Sequence, residues 1–200
     1  MNRDQAVLQV CDALSVANAI THVDGIIEAV SEFASRAAER LREQGSVAGA
    51  IGLFFTTSPF RANDRQHSVN VTVPLVRPTG DTAVLVAAAT AAVRSQFRSG
   101  FRYAKAGAVL SELQPADREQ GELDLFSALE AEAAPLADSA RVKLMSAMDA
   151  LNHRFGRDSV RLGSTAAASS GAEVRVWATK QERRSPRYTT RWDEIPVVGA

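Results

Sequence analysis

The spacing of apolar residues along the chain changes between two periods. Over residues 24–44 they recur every three or four positions, which predicts a helix that Gly45 ends. The same reasoning predicts a second helix that begins at an N-cap, Asp81, and extends to Phe97. These two stretches are the predicted helices of the first half of the chain.

Three other stretches have the character of strands. Residues 46–56 contain an apolar run, and residues 67–75 alternate between valines and polar side chains. Residues 101–110 form the third predicted strand. Strict alternation along it places Lys105 on the same side as Tyr103.

The order helix, strand, strand, helix, strand predicts an α+β fold for residues 21–111, with an antiparallel sheet, two helices on one face and the other face free. Residues 1–20 fit a short helix or a strand, and we interpret them as a remnant linker. Residues 112–138 are acidic and interrupted by prolines, which predicts a second linker.

A small helix-plus-hairpin module is predicted for residues 139–200. Its helix begins at Ser139, and its hairpin pairs residues 159–163 with 173–180. Apolar side chains at core spacing mark the buried side of that helix: Val142, Met145, Met148, Leu151 and Phe155.

Composition narrows the class of protein. A chain of 200 residues with 46% apolar side chains can form a buried core. Its single cysteine, Cys11, excludes an internal disulfide and favours a reducing cytoplasm. No apolar run reaches the length of a membrane helix, so no membrane contact is predicted.

The formal net charge of zero conceals an uneven distribution. Residues 61–111 carry seven basic and two acidic side chains, and residues 140–200 carry eleven basic and six acidic side chains. Between these basic blocks, residues 112–139 carry one basic and eight acidic side chains. Basic blocks favour a polyanionic partner. Two solvated surfaces joined by a linker are the alternative explanation.

No catalytic residue, metal site or cofactor is predicted. Cys11 has no recognised histidine partner, and no P-loop, dinucleotide or zinc spacing occurs. The acidic pair Asp193 and Glu194 lies in a basic segment, where a helix start or a solvated pair is the better explanation.

Four segments resemble the C-terminal part of the UmuC type of Y-family DNA polymerase. They are FASRAAERLR (33–42), FFTTSPF (54–60), GFRYAKAG (100–107), and LMSAMDALN (144–152) followed by the tail SPRYTTRWDEIP (185–196). The resemblance implies a little-finger domain over residues 21–111 and the UmuC C-terminal small domain over 139–200. It also implies translesion DNA synthesis in the SOS response, without the palm that carries catalysis.

In that family the free face of the little finger grips the DNA backbone near the template-primer junction. The resemblance and the basic residues together predict contacts with damaged or primer-template DNA from seven side chains: Ser58, Arg61, Arg65, His67, Thr72, Arg102 and Lys105. Such contacts need long cationic side chains and carry no sequence code. A soluble basic face without a ligand is the alternative.

The acidic linker contains QGELDLF, residues 120–126, which resembles the sliding-clamp-binding peptide. The predicted clamp contacts are Gln120, Glu122, Leu123, Leu125 and Phe126. Apolar residues in a linker are costly unless a partner buries them. A short helix packed on either domain is the alternative.

The basic tail combines aromatic and cationic side chains. Arg187, Tyr188, Arg191 and Trp192 are predicted to bind a partner, and the family implies the UmuD subunit and RecA. The alternatives are stacking on bases or a strap across a small core. Two functions therefore remain open: a DNA-binding, non-catalytic part of a UmuC-like polymerase, or a protein-interaction module that binds no DNA.

Overall fold

The computed structural model describes residues 10–61, 64–116, 134–156 and 159–163. Within these ranges four strands form one antiparallel sheet in the order β1-β4-β2-β3. The strands are β1 (Val10–Ile20), β2 (Ser46–Thr57), β3 (Ser68–Thr79) and β4 (Tyr103–Pro115), and the helices are α1 (Val23–Glu43), α2 (Thr82–Gln96) and α3 (Ala134–Phe155). The predicted α+β class is confirmed.

The core lies between the sheet and the helices α1 and α2. Alternate residues of β2 enter it because side chains in a strand point to opposite faces in turn. Both helices contribute an apolar stripe at helical spacing. The largest fully buried side chains include Ile26, Phe33 and Leu41 from α1, Leu85 and Val93 from α2, and Ile51, Leu53, Phe55, Tyr103 and Leu110 from the sheet.

The predicted helix boundaries are supported by local chemistry. The Asp81 carboxylate accepts hydrogen bonds from the backbone N–H groups of Ala83 (2.7 Å) and Val84 (3.4 Å), so it is the N-cap of α2. Gly45, just beyond α1, has a φ of +65°. This left-handed conformation costs glycine little, which explains why α1 ends there.

The interpretation of residues 1–20 as a linker needs correction for residues 10–20. They form the edge strand β1, which pairs with β4 from Val10 opposite Leu110 to Ser15 opposite Lys105. Local spacing could not distinguish helix from strand there, because the deciding contact comes from a strand far along the chain. β4 also continues beyond residue 111, to Pro115.

The prediction that Lys105 shares a face with Tyr103 was wrong, because β4 contains a bulge. Lys105 is paired with Thr56 and Tyr103 with Thr57, so Ala104 has no partner on β2. An unpaired residue reverses the alternation of faces. Tyr103 is therefore buried under the helices, and Lys105 is exposed on the opposite face.

The C-terminal part also departs from prediction. α3 begins at Ala134 rather than Ser139 and ends, as predicted, before Gly156, which has a φ of +101°. Of the five apolar residues at core spacing, only Met145 is buried. Met148 is half-buried, and Val142, Leu151 and Phe155 are exposed.

The predicted hairpin strand at residues 159–163 is absent. The side chain of Asn152 instead pairs with the backbone of Val160, accepting from its N–H (2.8 Å) and donating to its carbonyl (3.0 Å). These backbone groups are therefore bonded to α3, which leaves them unable to join a strand ladder. The other predicted strand, residues 173–180, lies outside the described residues.

Two ion pairs attach α3 to the helices that cover the sheet. The Arg42 guanidinium binds both Asp149 carboxylate oxygens, at 2.7 and 2.6 Å, and donates to the Gly80 carbonyl and the Thr82 hydroxyl, each at 2.7 Å. Arg141 binds the second oxygen of the Asp81 cap at 2.8 Å. These contacts join α3 to α1 and to the start of α2.

Loss of Arg42 should weaken the attachment of α3. A hydrogen bond to a charged group contributes about 1.5–3 kcal/mol to the free energy of unfolding, whereas an exposed ion pair contributes about 0–1 kcal/mol. The Arg42 and Asp149 side chains are only 16% and 28% exposed. A double-mutant cycle with Arg42→Ala and Asp149→Ala should give a coupling free energy above about 1 kcal/mol in urea unfolding. Lys143→Ala, at an exposed position of α3, is the control. A coupling near zero would contradict this account.

Candidate nucleic-acid interface

The sheet face away from α1 and α2 presents three rows of directly paired residues across β3, β2 and β4. They are Ser68–Thr56–Lys105, Asn70–Phe54–Gly107 and Thr72–Gly52–Val109. We call these nine residues the open face. Side chains that pair directly in an antiparallel sheet lie on the same face, so each row is continuous across the three strands.

Five of the nine residues of the open face are polar, and two are glycines. Ser68, Asn70, Thr72 and Lys105 are exposed, and no helix in the described ranges covers them. Hydroxyl and amide groups can donate to phosphate oxygens, and the two glycines let another backbone approach closely. Lys105 is the cation of this face, and its ammonium lies 5.7 Å from the centre of the Phe54 ring.

The loops beside the first row carry three arginines, Arg61, Arg65 and Arg102, which we call the arginine end. Asp64 lies between two of them, 3.7 Å from Arg61 and 3.7 Å from Arg102. Both distances exceed a hydrogen bond, so these pairs are weak. The Arg65 guanidinium lies 5.1 Å from the centre of the Phe101 ring. The arginine end therefore keeps a surplus of positive charge.

The side chain of Gln66 contacts several described residues of the β2–β3 loop. Its amide nitrogen lies within hydrogen-bond distance of three carbonyl oxygens, those of Ser58 (3.1 Å), Arg61 (3.4 Å) and Asp64 (3.1 Å). Its oxygen accepts from the Thr57 hydroxyl at 2.7 Å. These contacts connect the start of the loop to its end.

Below the arginine end, His67 and Tyr103 form a hydrogen-bonded aromatic contact. The Tyr103 hydroxyl lies 2.9 Å from Nδ1 of His67 and accepts from the backbone N–H of Arg98 at 3.4 Å. The His67 ring also packs on Phe101, with ring centres 4.8 Å apart. Burial raises the pKa of Tyr103, and the hydrogen bond and charge of Arg98 oppose that shift.

The structure brings most of the predicted DNA-contact residues to one end of the sheet. Arg61, Arg65 and Arg102 form the arginine end, and Lys105 lies in the adjacent row. Ser58 supplies a carbonyl to the Gln66 contacts, and the His67 ring supports Tyr103. Thr72 belongs to the open face but lies two rows away from Lys105.

Two aromatic residues were missed by sequence reasoning. Phe60 is 94% exposed in the β2–β3 loop, and Phe54 lies on the open face beside Lys105. The alternation of Ile51, Leu53 and Phe55 towards the core could have assigned Phe54 to the other face. The apolar run of residues 51–55 concealed that signal.

The other predicted contacts belong to two further segments of the chain. The clamp-like peptide with Gln120, Glu122, Leu123, Leu125 and Phe126 lies outside the described residues, as does the tail with Arg187, Tyr188, Arg191 and Trp192. In the described ranges no three His, Cys, Asp or Glu side chains are grouped as metal ligands, and no helix is long and apolar enough to span a bilayer.

Comparison with protein families gives a match over most of the sheet and helices. Residues 9–123 match the impB/mucB/samB family C-terminal domain. The chain belongs to this family. Residues 142–198 match a second domain, described as a domain of unknown function (DUF4113), which includes most of α3. The impB/mucB/samB match bears out the resemblance to UmuC.

Individual relatives in the impB/mucB/samB family cover most of the chain. Protein UmuC of Salmonella typhimurium is 35% identical, and the match covers 88% of this chain and 38% of UmuC. Protein SamB of the same organism is 33% identical, and the match covers 95% of this chain and 41% of SamB. Protein MucB of Escherichia coli is 33% identical, and the match covers 86% of this chain and 37% of MucB. The chain thus spans about two fifths of these relatives.

Solved structures also match part of this chain. One is the insertion ternary complex of Dbh DNA polymerase, at a TM-score of 0.39 and 10% identity, covering 52% of this chain and 28% of that one. Another is the complex of the beta-clamp processivity factor with the little finger domain of PolIV, at a TM-score of 0.35 and 19% identity. This match covers 58% of this chain and 98% of the other chain.

Tyr103 should make folding sensitive to alkaline pH. Because its pKa is raised in the folded chain, the unfolded chain ionises first, near the ordinary value of about 10. Its contribution to stability is present below pH 10 and is lost as pH rises through the folded pKa. The free energy of unfolding should therefore fall more steeply above pH 10 in wild type than in Tyr103→Phe.

The control for this experiment is Tyr188→Phe, which removes the other tyrosine of the chain. We expect it to keep the wild-type decline in urea unfolding at each pH. Identical slopes for wild type and Tyr103→Phe would contradict the role given to Tyr103.

Proposed function

We propose that this chain is the DNA-binding, non-catalytic C-terminal part of a UmuC-like translesion DNA polymerase that acts in SOS-response DNA repair and mutagenesis. The observation that carries the proposal is the open face, a polar sheet surface with Lys105, bordered by the arginine end. Membership of the impB/mucB/samB family supports it. Nucleotidyl transfer would belong to the part of such polymerases that this chain does not span.

The proposed contact is with the phosphate backbone of primer-template DNA. Three hydroxyl side chains, those of Thr56, Ser68 and Thr72, would donate to phosphate oxygens, and Lys105 with the arginine end would supply the charge. Damaged bases would then be tolerated, because none of these contacts reads a base edge. Such tolerance is what a polymerase that copies lesions requires.

The charge on the open face can be tested by DNA binding. Fluorescence anisotropy with a labelled primer-template should give an affinity that falls steeply with salt. Lys105→Glu and Arg65→Glu should weaken binding equally for all sequences and lower the salt slope by about one each. Both side chains are exposed and their loss opens no cavity.

The matched control is Lys143→Glu, the same charge reversal on α3, which is attached on the helix side of the sheet. It should bind DNA as wild type does. If wild type binds no DNA at low salt, or if the control loses as much affinity as Lys105→Glu, the open face is not the DNA site. A protein-interaction module would then be the better assignment.

The peptide QGELDLF supports a second role, docking on the sliding clamp. Leu123, Leu125 and Phe126 would be its apolar anchors. UmuD and RecA are proposed partners of the tail with Arg187 and Trp192. Docking and DNA binding are compatible, because they use different segments.

The double variant Leu125→Ala/Phe126→Ala should weaken binding to immobilised sliding clamp more than tenfold, since interface anchors each contribute about 2 kcal/mol or more. Ser127→Ala, at the next position, is the control and should bind as wild type does. DNA affinity should be unchanged in both variants. Equal clamp binding by the double variant and the control would exclude this peptide as the docking segment.

A further inference from the structure

Helix α2 is apolar on both of its sides. Its inner residues, among them Leu85, Ala89 and Val93, are fully buried in the core. Its outer side carries alanines, and the single charged residue among its 15 is Arg94, in the last turn. A surface helix normally has a charged outer face, and a helix that is apolar all round is normally covered.

A groove of about 470 Å³ lies along this outer side. Ala83, Ala87 and Ala91, spaced four residues apart, line it together with Val86, Thr90, Arg94, Leu162 and Gly163. We call it the outer groove. Small side chains on one surface leave room for large side chains on another, as in the packed interior of a protein.

The described chain ends in the outer groove. Asn152 holds the backbone of Val160 against α3, and Leu162 and Gly163 then line the groove itself. Residues 164–200 follow directly from this point. The match of residues 142–198 to one domain family makes α3 and most of this segment parts of the same domain.

α3 carries a second uncovered apolar surface. Leu144, Leu151 and Phe155 are 61%, 42% and 64% exposed, and their spacing of seven and four residues puts them on one side of the helix. Leu162 lines both the outer groove and the cleft that contains Met148 of α3. The groove and α3 therefore adjoin.

We propose that residues 164–200 fold back onto the outer groove and α3, with a tryptophan filling the groove. This segment contains both tryptophans of the chain, Trp177 and Trp192, with Val174, Val176 and Ile195 as further apolar side chains. An indole ring buries a large apolar area in a single contact, which suits a groove with an alanine floor. The tail then lies on the side of the sheet opposite the open face.

Tryptophan fluorescence of the full chain tests this directly, because both tryptophans belong to the proposed occupant. Ala87→Glu places a charge on the groove floor at an exposed helix position, and Glu is a good helix former. Its emission should shift to the red, and acrylamide should quench it several-fold more strongly than wild type. Trp177→Phe and Trp192→Phe then identify which indole fills the groove.

The matched control is Ala150→Glu, the same change at an exposed position of α3 away from the apolar stripe and from the contacts of Asp149. It should keep the wild-type emission, and circular dichroism should be the same for both variants. Equal quenching in wild type and Ala87→Glu would overturn the proposal. So would a wild-type emission that shifts to the red on dilution as a dimer dissociates, because a second copy would then cover the groove.

Discussion

The bulge at Ala104 is the constraint on which both the core and the candidate interface depend. Without it, strict alternation along β4 would place Tyr103 and Lys105 on the same face. Either Lys105 would then enter the core among buried apolar residues, or Tyr103 would leave the core for the open face. The extra residue separates them, so that Tyr103 completes the core beneath the arginine end while Lys105 reaches the open face. Tyr103 contributes to stability and Lys105 to the charge of the open face, and only the bulge residue separates them in the strand.

A second set of contacts extends the fold beyond the sheet and its two helices. Arg42 satisfies Asp149, the Gly80 carbonyl and the Thr82 hydroxyl at once, and Asp81 serves both the first turn of α2 and Arg141. Both Arg42 and Asp81 therefore bind the start of α2 and α3 at the same time. The start of α2 and the attachment of α3 are therefore energetically coupled, since any change at Asp81 alters both.

Local patterns predicted what local forces determine. The helical periods of residues 24–44 and 82–97 depend only on neighbours within one or two turns. The same is true of the Asp81 cap and of the glycines that follow α1 and α3. These predictions were correct. β1 and the bulge at Ala104 depend on pairing across the sheet, which no short window contains. For the candidate interface, the basic residues could be predicted, but the contact of the His67 ring with Tyr103 and the exposure of Phe60 could not.

The pairing of β1 with β4 has a consequence for how the chain is made. Ser15 pairs with Lys105, ninety positions later, while β4 also lies beside β2 at the centre of the sheet. The last strand of the sheet to emerge from the ribosome is therefore the one that joins β1 to the pair formed by β2 and β3. During synthesis β2 and β3 can form a hairpin early, but β1 has no partner until β4 appears. We therefore expect folding of this domain to finish late, because the edge strand β1 can pair only after β4 has been synthesised.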